Sequence, residues 1–246
     1  MQEENNKSLM EKISLPLSII VAGALIAGGV YLNGKMEKDR ELSAVEKARE
    51  GGLAGSSIER ILRPLDENDH VLGSPSARIV IIEYSDTECP FCKTFHSTMN
   101  TIMQEYGNKA QVAWVYRHFP IAELHSKAPR EAEALECVAE LGGNSKFWEY
   151  INKLYEVTPS NNGLEDLELS KLAALVEIDK AKFTVCLNSG EFRTRVEADV
   201  QNAQELGALG TPFNILIDTK TGEHYPLEGA YPYNQLKQVI DLILES

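Results

Sequence analysis

Cys89-Pro90-Phe91-Cys92 holds the residues of this chain best suited, by type and spacing, to covalent chemistry. If a helix starts here, two intervening residues bring both sulfurs onto its first turn, within bonding distance. The free N–H groups and positive dipole of a helix N-terminus favour a thiolate at the first cysteine. A stabilised thiolate is a good leaving group, so a disulfide joining the two is readily attacked and passes to another thiol. This is two-electron thiol–disulfide exchange, which calls for no cofactor and no metal. Two other uses compete. A zinc site needs two further ligands; Cys137, Cys186 and His96 are available, but none forms a second close pair. A purely structural Cys89–Cys92 bridge would close so small a loop that it adds little stability.

Exchange requires a strand before the pair and a helix opening on it. Residues 78–84, RIVIIEY, form a β-branched run bounded by turn residues, as in a buried strand. Asp86 and Thr87 are candidate caps, and Pro90 suits a first helical turn, where its missing N–H costs nothing. Phe91, Phe95, Met99, Ile102, Met103 and Tyr106 then recur at helical spacing until Gly107-Asn108. A second strand is predicted over 111–117, ending before Pro120. Helices are predicted over 122–141, 146–155, 168–176 and 180–186, with a connection at 158–163, and another over 189–206. Strand 213–218, a turn at 219–222, a short strand near 224–228 and a final helix striped by Leu236, Val239, Ile240 and Ile243 complete the chain. The order β-α-β, helical block, α-β-β-α is an α/β plan around one sheet.

Composition narrows the function classes. The 246 residues carry 24 Lys+Arg against 37 Asp+Glu, a net charge of -13, which argues against a nucleic-acid binder. With 43% apolar and 25% charged residues the chain is globular and long enough for one elaborated domain. Four cysteines are too sparse for a disulfide scaffold, so their positions carry the information.

Residues 13–34, ISLPLSIIVAGALIAGGVYLNG, hold no charge between Lys12 and Lys35. About 20 apolar residues span a hydrocarbon core of ~30 Å. A cleaved signal peptide and a buried core helix are the alternatives. Cutting near Ala22-Gly23-Ala24 would leave much of the apolar run on the mature chain, and a charged stretch follows rather than a core. An uncleaved anchor fits best. Lys35, Lys38, Arg40, Lys47 and Arg49 outnumber Lys7 and Lys12, so the positive-inside count leans towards a cytoplasmic C-terminal side. Glu37, Asp39 and Glu41 dilute that count, and the redox chemistry argues for the opposite side. The expected organisation is a short tail (1–12), a transmembrane anchor (13–34), a tether and lead-in (35–72), and a catalytic domain (73–246).

The stretch from Gly73-Ser74-Pro75 through IVIIEYSDTECPFCKTFH resembles the start of the catalytic domain in bacterial DsbA-like thiol:disulfide oxidoreductases, especially membrane-anchored members. Phe183, Cys186-Leu187, Ser189 and Gly207-Ala208-Leu209-Gly210-Thr211-Pro212-Phe213 resemble the second half of that domain. The resemblance runs from about residue 72 to the C-terminus and implies a thioredoxin-like fold with a helical insertion at about 121–186. It makes Cys89 the exposed nucleophile and Cys92 its buried partner. Pro212 matches a cis-proline lying against the active-site disulfide, and Thr211 would offer backbone groups to an extended substrate; by local sequence alone, Gly210-Thr211-Pro212 is an ordinary turn before a strand. Glu83 matches an acidic residue beneath the site that could handle the proton at Cys92; its alternative is an exposed strand-end acid. Phe91 departs from the histidine of the best-known oxidase and offers the thiolate neither charge nor ring N–H. His96 is either a surface or packing histidine or a modulator of the site. Some members carry a second, structural disulfide, which here would be Cys137 with Cys186; two buried free thiols are the alternative.

The resemblance implies an enzyme that introduces disulfides into reduced exported proteins outside the cytoplasmic membrane, reoxidised by a quinone-linked membrane thiol oxidase. A disulfide isomerase or reductase would use the same cysteines, although 35–72 is short for a dimerisation domain. A non-catalytic anchored chaperone or binding module is the reading from another class, and the complete Cys-Pro-Phe-Cys argues against it.

Overall fold

The structure is a computed structural model that describes residues 55–246; the expected tail, anchor and first part of the tether lie outside the described residues. In chain order the elements are α1 (Gly55–Ile61), β1 (His70–Leu72), β2 (Ile79–Ser85), α2 (Pro90–Tyr106), β3 (Val112–His118), α3 (Ala128–Val157), α4 (Asp166–Leu175), α5 (Lys180–Ser189), α6 (Arg193–Glu205), β4 (Phe213–Asp218), β5 (Glu223–Glu228) and α7 (Tyr233–Glu245). The five strands make one sheet in the order β1-β3-β2-β4-β5. β2 and β3 are parallel, as a crossover through α2 requires, and the other three pairings are antiparallel. Among the described residues no helix is long and apolar enough to cross a membrane.

Side chains alternate across this sheet, and the alternation decides what reaches the cysteines. Val80, Ile82 and Tyr84 of β2, Ala113 and Val115 of β3 and Ile215 of β4 share one buried cluster with Ile58 and Ala203. The opposite face carries Glu83 and Ser85 of β2 beside their register partners Tyr116 and His118 of β3. Trp114 on that face packs against His96 of α2, ring centroids 5.0 Å apart, and Trp148 of α3 at 4.6 Å. α7 lies along α2, where the Tyr106 hydroxyl donates to Asp241 at 2.6 Å and Lys237 pairs with Glu105 at 2.8 Å.

Several sequence expectations are corrected. The helix expected over 122–141 starts only at Ala128, because Pro129 fits the first turn but not a helix interior. It runs on through the region expected to separate two helices, broken only at Gly143, whose φ of 78° is non-helical. The helix expected from 189 starts at Arg193, since Gly190 at φ 67° ends α5 in the left-handed conformation. Asp86 and Thr87 do not cap α2. Cys89 itself occupies the cap position, with no side-chain cap bond. Phe91 leaves the apolar stripe and is 65% exposed.

The ordered core also takes in residues ahead of 73. β1 pairs with β3, and Ile58 and Leu62 are buried. Arg117, fully buried, explains the docking: it meets both carboxylate oxygens of Asp69 at 2.9 and 3.0 Å, the Arg63 carbonyl oxygen at 2.9 Å and the Tyr84 hydroxyl at 3.0 Å. A buried guanidinium must be fully paired, so this lead-in folds back to pair it.

Candidate active site

Because Pro90 opens α2, Cys89 sits at its N-terminal end and Cys92 lies one turn inside, with both sulfurs as free thiols. Cys92 is fully buried and Cys89 is only 5% exposed, so the expected nucleophile is nearly covered rather than open. The thiols are pulled in opposite directions. Hydrogen bonding from Cys92, opposed by burial and aided by Thr211 and the Cys92 and Phe91 backbone N–H groups, brings Cys89 from its ordinary 9.0 down to about 6. Burial, with Cys89 and Glu83 adding to it, pushes Cys92 well above its ordinary value. A helix start facing one sulfur and a low-dielectric pocket around the other account for the difference.

Thr211 comes from the far end of the chain. The Cys89 thiol donates to its carbonyl oxygen at 3.5 Å, and the Thr211–Pro212 peptide bond is cis. β4, antiparallel to β2, brings that peptide to the end of the sheet where α2 begins.

Glu83 is fully buried, which corrects the alternative of an exposed strand-end acid: β2 is the central strand, covered on both faces. Burial pushes its carboxyl up to about 7, against hydrogen bonds from Ser85 and Trp114. The Trp114 indole N–H donates to one oxygen at 2.9 Å, while the other, Oε1, has no partner. A carboxyl that is half protonated near neutrality, with one unoccupied oxygen, can deliver or accept a proton beside Cys92.

His96 is 3% exposed, which corrects the surface reading; it packs between Trp114 and Tyr155, and its Nε2 lies 2.7 Å from Asn152 Oδ1. Burial lowers its pKa to about 4, so it offers no charge to the thiolate. Cys137 and Cys186 form a disulfide between α3 and α5, Cα atoms 5.9 Å apart. Joined to each other, Cys137 and Cys186 are not free to complete a zinc site with the active pair.

The structure adds residues that sequence spacing did not single out. The Asp86 backbone N–H donates to Cys92 Sγ at 3.4 Å. The Asp86 carboxylate accepts from the Glu88 and Ile121 backbones and lies 2.9 Å from His125 Nδ1, fixing the loop just ahead of Cys89. Ser85 and Tyr155 share a hydrogen bond at 3.1 Å behind Cys92, and the Tyr116 hydroxyl is buried nearby without a partner. Period-2 alternation along β2 was a signal for Ser85; nothing local pointed to Tyr155 or His125, which arrive from the helical block.

A family profile described as thioredoxin matches residues 65–241. Among curated proteins, the Na(+)/H(+) antiporter NhaA 1 of Mycolicibacterium gilvum is 32% identical over 159 residues, covering 62% of this chain and 24% of that protein. The Na(+)/H(+) antiporter NhaA 3 of Salinispora tropica is 30% identical over 172 residues, covering 70% and 25%. The chain thus spans about a quarter of the length of these curated relatives. Among solved structures, Pseudomonas aeruginosa DsbA2 aligns with a TM-score of 0.62 at 26% identity, over 75% of this chain and 98% of that one. BdbD from Bacillus subtilis, oxidised, aligns at 0.63 and 25%, over 75% and 97%. Wolbachia pipientis alpha-DsbA1 shares the fold at 0.65 and 24%, over 77% and 96%. A close cysteine pair at a helix start in such a fold is an arrangement suited to thiol–disulfide exchange. By sequence match and by architecture, with helices α3 to α5 inserted between the two β-containing halves of a DsbA-like fold, the chain belongs to the thioredoxin family.

Proposed function

We propose that this protein oxidises thiols of exported proteins, introducing disulfide bonds through the Cys89–Cys92 pair. The carrying observation is the opposed pull on the two thiols, Cys89 down to about 6 and Cys92 well up. A substrate thiolate attacks Cys89 Sγ of the oxidised pair, the Cys89–Cys92 bond breaks, and Cys92 departs with the electron pair. Being a poor thiolate in its buried pocket, Cys92 takes a proton, which Glu83 is placed to supply. A second substrate thiolate then attacks the substrate sulfur of the mixed disulfide, and Cys89 leaves as the stabilised thiolate. The substrate gives two electrons to the protein and releases two protons; one restores Glu83, and the other stays in solvent while Cys89 remains a thiolate. A quinone-linked membrane thiol oxidase is the proposed acceptor that resets the pair. Thr211 and Pro212 border the place where an extended substrate strand would lie, beside the exposed ring of Phe91.

Residues 13–34 are proposed to tether the domain to the membrane as an uncleaved single span, with catalysis on the extracytoplasmic side. The Cys137–Cys186 disulfide supports that side, since such braces persist in oxidising compartments. Purified, oxidised full-length protein should oxidise a reduced model substrate, Cys89→Ser should abolish the transfer while keeping the fold, and Cys92→Ser, offered a disulfide-bonded peptide, should be trapped as a mixed disulfide at Cys89 with release of one peptide thiolate. A reduction potential near about -120 mV supports the oxidant reading, whereas one near about -270 mV would assign the same cysteines to a reductant.

A further inference from the structure

We propose that His70, His118 and Glu136 form a binding site for one divalent transition-metal ion of the zinc type. The site stands apart from the exchange reaction and does not depend on the direction in which electrons flow.

His70 opens β1, His118 ends β3 and Glu136 comes from α3. His70 pairs in register with Tyr116, so His118 lies two residues further along the same face of the neighbouring strand. Glu136 descends on the pair from the helix above. His70 Nε2 and His118 Nε2 each lie 2.8 Å from the same atom, Glu136 Oε1, and the three ligand atoms all fall within 4.8 Å of one another. The three residues are 6%, 1% and 2% exposed. Their rings are held in place: His70 stacks on Phe147 with centroids 3.6 Å apart and planes at 10°, and His118 meets Tyr116 and Phe147 edge-on.

Two imidazole nitrogens and one carboxylate oxygen are a donor set for borderline cations, with a fourth position left for water. Calcium and magnesium want six or more oxygens, which the three residues do not offer. Glu136 accepts from both imidazoles at Oε1 and from Arg195 at Oε2, so both of its oxygens already face groups that a cation can replace.

Arg195 is the resident cation. Its Nε lies 2.9 Å from Glu136 Oε2 and its Nη2 3.4 Å from His70 Nε2, while its side chain is 28% exposed. Unlike the ligands, it sits on the rim, where its Nη2 also donates to the Asn68 carbonyl oxygen, a contact it can keep when an ion takes its place at Glu136. An arriving ion replaces the hydrogen bonds at Oε1. Each imidazole presents an unprotonated Nε2 to the ion, that proton passing to Nδ1 or to solvent, and the charge balance that Arg195 provided passes to the metal.

The test uses full-length protein stripped with chelator and kept oxidised, so that Cys89 and Cys92 cannot ligate. Zn2+, Mn2+ and Ca2+ are each titrated by calorimetry, and bound metal is counted by elemental analysis. One equivalent of Zn2+ should bind, with Ca2+ at least about tenfold weaker, and the melting temperature should rise with Zn2+. Glu136→Gln and His118→Ala should weaken Zn2+ binding by about 10- to 100-fold. Because either variant disturbs a buried network, Arg195→Ala supplies a second arm: it keeps all three ligands, removes the competing cation and should bind Zn2+ severalfold tighter. Failure of both wild type and Arg195→Ala to bind more Zn2+ than Glu136→Gln overturns the site.

Discussion

Cys89 Sγ and the carbonyl oxygen of Thr211 lie 3.5 Å apart although 122 positions separate them in the chain. This contact brings the two halves of the fold together at the reacting sulfur. The Thr211 side chain adds a hydrogen bond that helps to hold the Cys89 thiol below its ordinary value. A near-covered cysteine is thus surrounded by donors from a helix start on one side and from the segment before β4 on the other.

Alkylation of the reduced protein should show one fast thiol with a midpoint near pH 6 rather than 9, followed by thiolate absorbance. Thr211→Val should move that midpoint upward, and an unmoved midpoint would remove the hydroxyl from the account. The linkage has a definite sign. A depressed cysteine pKa contributes stability that is fully present above pH 9 and is lost as pH falls through about 6. Reduced wild type should therefore gain stability over reduced Cys89→Ser between pH 6 and 9 in urea melts.

Glu83→Gln should make the protein more stable and slower. The raised carboxyl pKa means that its contribution is greatest below pH 4.5 and is lost as pH rises through about 7. A neutral amide avoids this loss, stabilising the fold at pH 8 by up to about 3 kcal/mol. Exchange at pH 7 should fall by about 10²-fold because Cys92 loses its proton donor. Urea melts at pH 5 and 8 and stopped-flow exchange measure the two effects, and an unchanged exchange rate would rule out the proton role.

Phe91→His should be tolerated, since the native ring is 65% exposed. A ring N–H beside the thiolate should lower the Cys89 pKa further and raise the reduction potential by about 30 mV for each ~1.4 kcal/mol of thiolate stabilisation. Equilibration against glutathione reads the change; no shift would mean that the helix start already saturates the thiolate.

Removing the brace with Cys137→Ala and Cys186→Ala opens a crosslink of sequence separation 49. The chain-entropy account gives a cost of about 4 kcal/mol, most of it exerted on the unfolded state. The denaturation midpoint should fall accordingly while exchange at Cys89 stays within about twofold. A larger loss of exchange would show that α3 and α5 position the site.

The strands around the site were legible because period and punctuation act locally: a β-branched run before Cys89, Pro90 on a first turn, glycine at each stop. Phe213–Asp218 coincides with its expected bounds, whereas β2 and β3 lie one residue later than expected. Errors gathered where one residue outweighs a periodic pattern. Pro129 shortens α3 at its start, and Gly190 separates two helices that hydrophobic spacing had pushed together. Phe91 kept the apolar rhythm of α2, but the first turn of that helix stands beyond the sheet that would have covered it.

By itself, the sequence determined the two-cysteine chemistry, the helix that starts on it and the buried strand that leads into it, because each depends on neighbours a few residues away. Only the tertiary structure decided how nearly Cys89 is covered, how deeply Glu83 is buried, and that His70 and His118 share one carboxylate oxygen of Glu136. Those outcomes depend on burial and on donors brought from distant segments, and desolvation is a property of the packed whole.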